Sequence, residues 1–424
     1  MSGNSATQYR QGVLVTVLAG LIMIGPFSID TMFPGFPAIG RDLSVSALAV
    51  QQTVSVYLLA YALMSLVHGP VSDRFGRRPV IALGMVGYAL ASAGAATATT
   101  LDALLLWRCL QGACAGAGIV VARAVIRDLF EGPAAQKLMS QVMMVFGIAP
   151  AIAPVVGAQL VLVGGWRGIF WALAIFASVL VVATLWLLPE SLPREQRVSL
   201  APRSLVRTYA GILRDAGFWP LAISGTLNFA ALFVYILSAP RVVLELMGLS
   251  QQGFPWLFVP VIGGIMSGSL LSSRLAGKRS AAQTVGIGYV FMALGTLVNL
   301  LLAFNLPAPA PAWALLPLCL IGCGVGLCFP TLTLLLLDRF PLYRGGASSM
   351  QAFVSLLFNA ALAGLVAPAL YGSLRTLAVG AACISLLGWL AWRWYVYAER
   401  AELARHAAAD AADMVTELPP SEVM

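Results

Sequence analysis

Charge is what this 424-residue sequence has least of. Only 10% of its residues are Asp, Glu, Lys or Arg, against about 25% in soluble domains. A chain so poor in charge cannot cover a folded surface in water, so a soluble globular protein is excluded. A nucleic-acid surface is excluded too, because the basic residues behind the net charge of +8 are scattered over short loops and share no face. Histidine is down to His68 and His406, too few for a metal site to be expected. The six cysteines (Cys109, Cys114, Cys319, Cys323, Cys328 and Cys383) lie inside apolar runs and read as small packing residues, not disulfide partners. There is no Walker loop, no Gly-x-Ser-x-Gly turn and no zinc-binding helix motif, so no bond-making chemistry and no enzyme are expected. The ten-residue alternating segments of a membrane β-barrel are missing as well.

What is present is apolar length. The chain is 60% hydrophobic with a mean hydropathy of +0.89, and a membrane-spanning helix needs about 20 such residues. Apolar segments lie near 13–37, 49–70, 79–98, 103–122, 137–163, 167–189, 218–238, 254–276, 282–304, 311–336, 346–371 and 374–397. The 41 glycines and 24 prolines sit within these runs, where membrane helices tolerate them. The expected fold is an all-α polytopic membrane protein of twelve transmembrane helices.

Basic residues orient it. With the N-terminus inside, the outer loops hold only Arg41, Arg167, Arg241 and Arg375. Arg108 falls within a span, and the other 20 of the 25 lysines and arginines lie inside. By the positive-inside rule both termini are cytoplasmic. The polar stretch 190–217 then links two six-helix halves, 1–189 and 218–397, with a tail from 398 to 424 expected to be a short helix that frays. The halves echo each other weakly, in Asp73-Arg74-Phe75-Gly76-Arg77-Arg78 after span 2 and Arg274-Leu275-Ala276-Gly277-Lys278-Arg279 after span 8. Parallel six-helix repeats mark one transporter architecture.

Ionisable residues inside a bilayer point to function. Asp30 lies about 10 Å from the outer end of span 1 and Arg108 about 9 Å below the same surface, at about 1.5 Å per residue. They are expected to share one water-accessible cavity. There, desolvation disfavours a charged carboxylate while a nearby cation favours it, so Asp30 could load and release a proton. The structural alternative is an ion pair that holds helices 1 and 4 together, or an Arg108 bonded to backbone carbonyls. Gly69, Asp73, Arg74, Gly76, Arg77 and Arg78 form the most specific motif, read as a tight loop whose Asp73 pairs with Arg77 or a basic group near Arg127-Asp128 across a domain seam. In span 5, Gly147, Pro150, Pro154 and Gly157 mark a bent, closely packed helix, as Gly112, Gly116 and Gly118 do in span 4. Tyr57, Tyr61, Gln111, Asn228, Tyr235, Phe254, Phe258, Gln351 and Asn359 are candidates for a central cavity, or ordinary packing residues.

These motifs resemble the major facilitator superfamily, and within it the twelve-helix drug:proton antiporters. The 69–79 segment matches the signature between helices 2 and 3. Leu106-Trp107-Arg108-Cys109-Leu110-Gln111-Gly112 is similar to the family's helix-4 motif, and Gly147 to Gly157 to its antiporter motif. Pro26 to Pro37, Leu337-Asp338-Arg339-Phe340-Pro341 and Gly346-Ala347-Ser348-Ser349 resemble the bicyclomycin/chloramphenicol-resistance branch. The resemblance implies a proton-coupled antiporter in the bacterial inner membrane, needing no cofactor, with the proton gradient as its energy source, and acting as a monomer. Asp30 would couple proton entry to export of small amphipathic compounds, and Arg108 would assist its deprotonation. Where relatives that export cations often carry a second acid, two turns before Asp30, this chain has Ile22, which favours neutral, lipophilic or zwitterionic cargo. The alternatives are a dedicated exporter of one metabolite, siderophore or natural product, and, from another class, a non-transporting receptor or scaffold.

Overall fold

The computed structural model describes residues 2–129, 132–197, 202–275, 277–306, 310–340 and 344–417, and no strand occurs among them. The helices are α1 (Ser2–Asp30), α2 (Phe36–Asp42), α3 (Ala47–Phe75), α4 (Arg77–Ala96), α5 (Leu101–Leu129), α6 (Gly132–Leu187) and α7 (Pro202–Arg214). They continue as α8 (Phe218–Leu237), α9 (Pro255–Leu275), α10 (Ala281–Asn305), α11 (Leu318–Arg339), α12 (Arg344–Ala361), α13 (Ala367–Leu370) and α14 (Leu374–Glu417).

Eleven helical segments among the described residues are long and apolar enough to cross a membrane. One of them holds two crossings. The 56 residues of α6 would reach about 84 Å at about 1.5 Å per residue, far beyond a hydrocarbon core of about 30 Å. Gly164 and Gly165 leave helical geometry, Gly165 at φ +61°, and the chain doubles back there. The turn is held from outside. Asp42 accepts from Trp166 Nε1 at 3.1 Å and pairs with Arg167 at 2.5 Å, while Arg167 Nη2 donates to the Ala98 carbonyl at 2.9 Å. Twelve crossings result, as the apolar runs predict.

Four boundaries differ from the sequence reading. The first span breaks after Asp30 into a short 3-10 turn, Phe33–Gly35, where Pro34 is buried, and resumes as α2. Helix α3 runs on to Phe75, so Gly69 to Phe75 are helical and only Gly76 makes the turn. The closely spaced last pair is separated by a turn at 371–373, with a π-helical stretch, Leu362–Val366, in between α12 and α13. Helix α14 continues through the expected fray to Glu417, and 418–424 lie outside the described residues.

Helices before the 190–217 linker pack on one another, α3 and α4 on α5, and α4 and α1 on α6; those after it do likewise, α9 and α10 on α11 and α8 on α14. Small residues make the contacts close. Gly264 and Gly268 of α9 face the Cys319 and Cys323 carbonyls of α11, and Gly322 and Gly326 of α11 face the Val261 and Ile265 carbonyls in return. Between the two groups, α3 packs on α12 and α6 on α9. We call the end of the bundle that carries the 190–217 linker and Gly76 the linker end, and the opposite end the far end.

Candidate functional site

Asp30 closes α1 and is 4% exposed. No ion pair or hydrogen bond to its carboxylate occurs among the described residues. The next residue, Thr31, meets the antiporter stretch of α6: a β-carbon added to Gly157 would lie 2.1 Å from the Thr31 carbonyl oxygen. Pro150 and Pro154 lie inside α6, where each removes a backbone donor. Gly147 is on the same helix, and its surroundings lie outside the described residues.

Arg108 is fully enclosed, with no exposed surface. Its Nε donates to the Thr53 carbonyl at 3.1 Å and its Nη1 to Gln111 Oε1 at 2.9 Å, and the guanidinium lies 4.4 Å over the Tyr57 ring. Gln111 Nε2 donates onward to Ser92 Oγ at 2.6 Å, and nearby the Tyr88 and Ser28 hydroxyls meet. The expected water-accessible cavity shared with Asp30 is therefore not what surrounds Arg108. Both of its acceptors are neutral, one a backbone carbonyl, and side chains of α3, α4 and α5 close over it. A buried guanidinium persists where its donors find acceptors, yet Nη2 and the Tyr57 hydroxyl have none among the described residues. Thr53, Ser28, Tyr88 and Ser92 were missed by the sequence reading, since a lone Ser, Thr or Tyr in an apolar run carries no signal.

At the linker end the signature residues do assemble. Arg77, 7% exposed, pairs with Asp73 at 2.5 Å and with Asp128 at 2.9 Å, and donates to Ser72 Oγ at 2.6 Å. The expected pairing across a domain seam is corrected here: Arg77 stitches α3, α4 and the end of α5, all within one group of helices. Glu190, at the start of the linker, accepts from the backbone N–H of Arg77 and of Leu192, each at 3.0 Å. Gly76 sits at φ +101°, and a β-carbon there would lie 2.5 Å from Glu190 Oε2. Only glycine fits this turn. Gly69 is within α3 and faces Ser349 of α12, while Arg74 lies over the Phe75 ring at 5.3 Å. Arg78 is in the first turn of α4.

The nine cavity candidates do not form one wall. Gln111 is spent on Arg108 and Ser92. Asn228 Nδ2 donates to Met292 Sδ on α10 at 2.9 Å, and Tyr235 accepts from Asn299 Nδ2 at 2.6 Å, so both point into their own group of helices. Tyr235 and Asn299, with Ser373 and Arg375, line a cavity of about 410 Å³ near the far end, off the axis between the two groups. Phe254 and Phe258 are buried together, 6.5 Å between ring centroids. Tyr57 and Tyr61 stack edge to face at 6.4 Å, Gln351 lies against Gly225 of α8, and Asn359 Oδ1 is buried without a partner among the described residues. A buried polar side chain bonds to whatever group the packing brings within reach, whichever face the sequence suggests.

At the far end, three side-chain hydrogen bonds from α3 reach α8, α12 and the π-helical stretch that follows α12. Gln51 Nε2 donates to the Leu237 carbonyl at 3.3 Å, Gln52 Nε2 to the Gly364 carbonyl at 3.1 Å, and Ser55 Oγ to the Ala360 carbonyl at 2.8 Å. The π-helical stretch at Leu362–Val366 widens the helix there, and such stretches recur at functional sites. Toward the linker end, Phe329 of α11 is 40% exposed, although Ile321 to Cys328 before it are all buried.

Comparison with known proteins places this geometry. The profile of the Major Facilitator Superfamily matches residues 18–363. Over 355 residues the chain is 30% identical to an uncharacterized MFS-type transporter, YdgK, of Bacillus subtilis, covering 83% of this chain and 88% of that one. It is 28% identical over 358 residues to multidrug resistance protein D of Escherichia coli, covering 84% and 88%. With a bicyclomycin resistance protein homolog of Haemophilus influenzae it shares 27% over 291 residues, 69% and 73% of the two chains. Among solved structures, a D-xylose–proton symporter superposes with a TM-score of 0.68 at 17% identity, over 89% of this chain and 97% of that one.

Proposed function

The chain belongs to the major facilitator superfamily, and from that premise we propose that it is a proton-coupled antiporter exporting small amphipathic compounds. Membership itself makes it a multi-pass membrane transporter of small molecules and not an enzyme. Export of drugs is supported by relatives named for multidrug and bicyclomycin resistance. The bacterial relatives support a place in the bacterial inner membrane, and the asymmetry of basic residues supports cytoplasmic termini.

The observation that carries the proton role is Asp30, a carboxylate buried in a membrane span with no ion-pair partner among the described residues. An unpaired charge there costs several kcal/mol, so the protonated form is the one that suits a closed bundle. Opening to the outside would let the carboxylate exchange its proton, and cargo entering from the linker end would compete with it. The hydrogen bonds across the far end of the seam and the exposed Phe329 toward the linker end support entry from the cytoplasm. Arg108, held by neutral acceptors, would assist deprotonation of Asp30 without pairing with it. The proton gradient is the energy source, no cofactor is needed, and one chain working as a monomer suffices.

The test is Asp30→Asn in proteoliposomes carrying a pH gradient, with a panel of amphipathic compounds as cargo. Gradient-driven export should fall to background while the melting temperature holds. Normal export by this variant would remove Asp30 from the coupling mechanism.

A further inference from the structure

The linker helix α7 has a face that none of the foregoing uses. At about 100° per residue, Arg203, Arg207 and Arg214 fall within about 40° of arc, and all three are exposed. None takes part in an ion pair among the described residues. Beside this stripe Val206 and Leu213 stand together, 65% and 37% exposed. The opposite face is occupied. Ile212 is buried, Tyr209 donates to the Leu66 carbonyl of α3 at 3.0 Å, and Gly346 of α12 lies against Thr208, Tyr209 and Ile212.

We propose that α7 is a membrane-surface helix whose Arg203, Arg207 and Arg214 bind the headgroups of anionic phospholipid while Val206 and Leu213 enter the acyl region. Three features of the structure place it at that depth. The helix lies between the end of α6 at Leu187 and the start of α8 at Phe218, so it is joined at both sides to spans that stop at the membrane boundary. Trp219, partly exposed, donates from Nε1 to the Leu213 carbonyl at 2.9 Å, and tryptophan is the residue that settles at the headgroup level. An arginine stripe flanked by exposed apolar residues is the pattern of an interfacial helix drawn to anionic lipid. The apolar sector of α7 is wider than the protein covers, and the uncovered edge is the one next to the arginines.

The consequence reaches the seam. Tyr209 touches α3 and α12 at once, so lipid that holds α7 down also holds the two groups of helices together at the linker end. Anionic lipid would then favour the arrangement seen here and slow its opening.

The experiment is hydrogen exchange on the full chain in nanodiscs of phosphatidylcholine, alone or with phosphatidylglycerol. Each arginine near an anionic leaflet is worth about a fivefold preference, so amides of 203–214 should exchange about tenfold or more slowly with phosphatidylglycerol. The triple variant Arg203→Gln, Arg207→Gln, Arg214→Gln should lose the difference, and the triple Arg→Lys variant should keep it. Exchange in α8 to α11 checks the fold of each variant. Should the glutamine variant fail that check, about 0.5 M salt on the unaltered protein must erase the difference. Equal exchange in the two bilayers, protection retained by the folded glutamine variant, or protection that survives salt would each overturn the proposal.

Discussion

Replacing Gly157 by alanine adds one carbon, and its cost can be worked from the contact with Thr31. The new carbon would sit 2.1 Å from the Thr31 carbonyl oxygen, whereas ordinary contact begins at 3.4 Å. The obstacle is backbone, so no side chain can swing aside, and α1 must retreat from α6 by about 1.3 Å, the difference of those distances. Overpacking of this kind costs about 1–3 kcal/mol. For a unit the size of one six-helix half, that lowers the melting temperature by roughly 2–4 °C per kcal/mol. The intrinsic helix preference of alanine over glycine, about 1 kcal/mol, works the other way and sets the control. Gly263→Ala in α9 meets nothing within 4 Å, so it should leave melting unchanged or raise it slightly. Transport should suffer more than stability in Gly157→Ala, because Thr31 adjoins Asp30 and the displaced backbone carries the carboxylate with it. The assay is melting in detergent together with gradient-driven export in proteoliposomes, both variants side by side. If Gly157→Ala and Gly263→Ala melt and transport alike, the close approach of α1 and α6 is not what holds the site.

Two further perturbations separate other parts of the structure. Arg77→Gln removes the charge that Asp73 and Asp128 share at 2.5 and 2.9 Å; it should destabilise the protein by about 1–3 kcal/mol, and Asp128→Asn combined with it should cost less than the sum of the two, as a double-mutant melting cycle would read. The triple change Gln51→Ala, Gln52→Ala, Ser55→Ala deletes three bonds across the seam, together worth about 2–4 kcal/mol. Spin-label distances across the far end should then shift toward a longer population, and an unchanged distribution would show that these bonds do not hold the seam.

Much of the fold was legible because a bilayer imposes length. Twelve apolar runs gave twelve crossings, including the pair that shares α6, since no helix of 56 residues fits one passage. The 69–79 motif was legible as residues that meet, and Arg77 does meet Asp73 and Asp128. Its shape was not: Gly69 to Phe75 prolong α3, because a helix does not stop where hydrophobicity does. The cavity candidates were the least legible. Asn228 and Tyr235 are polar residues on membrane helices, but Met292 and Asn299 on α10 claim them, and no local pattern says which way an amide on a helix turns.

Sequence by itself determined the solvent of this protein, its number of crossings, and the two ionisable residues that no loop can hold. These follow from transfer energies summed along a chain, which depend on composition and order alone. Tertiary structure alone decided that Asp30 and Arg108 do not pair, that Arg108 donates to Thr53 and Gln111 instead, and that a glycine of α6 rests on the carbonyl next to Asp30. Those outcomes depend on which helix faces meet and how closely, and packing settles that only when all the helices are in place.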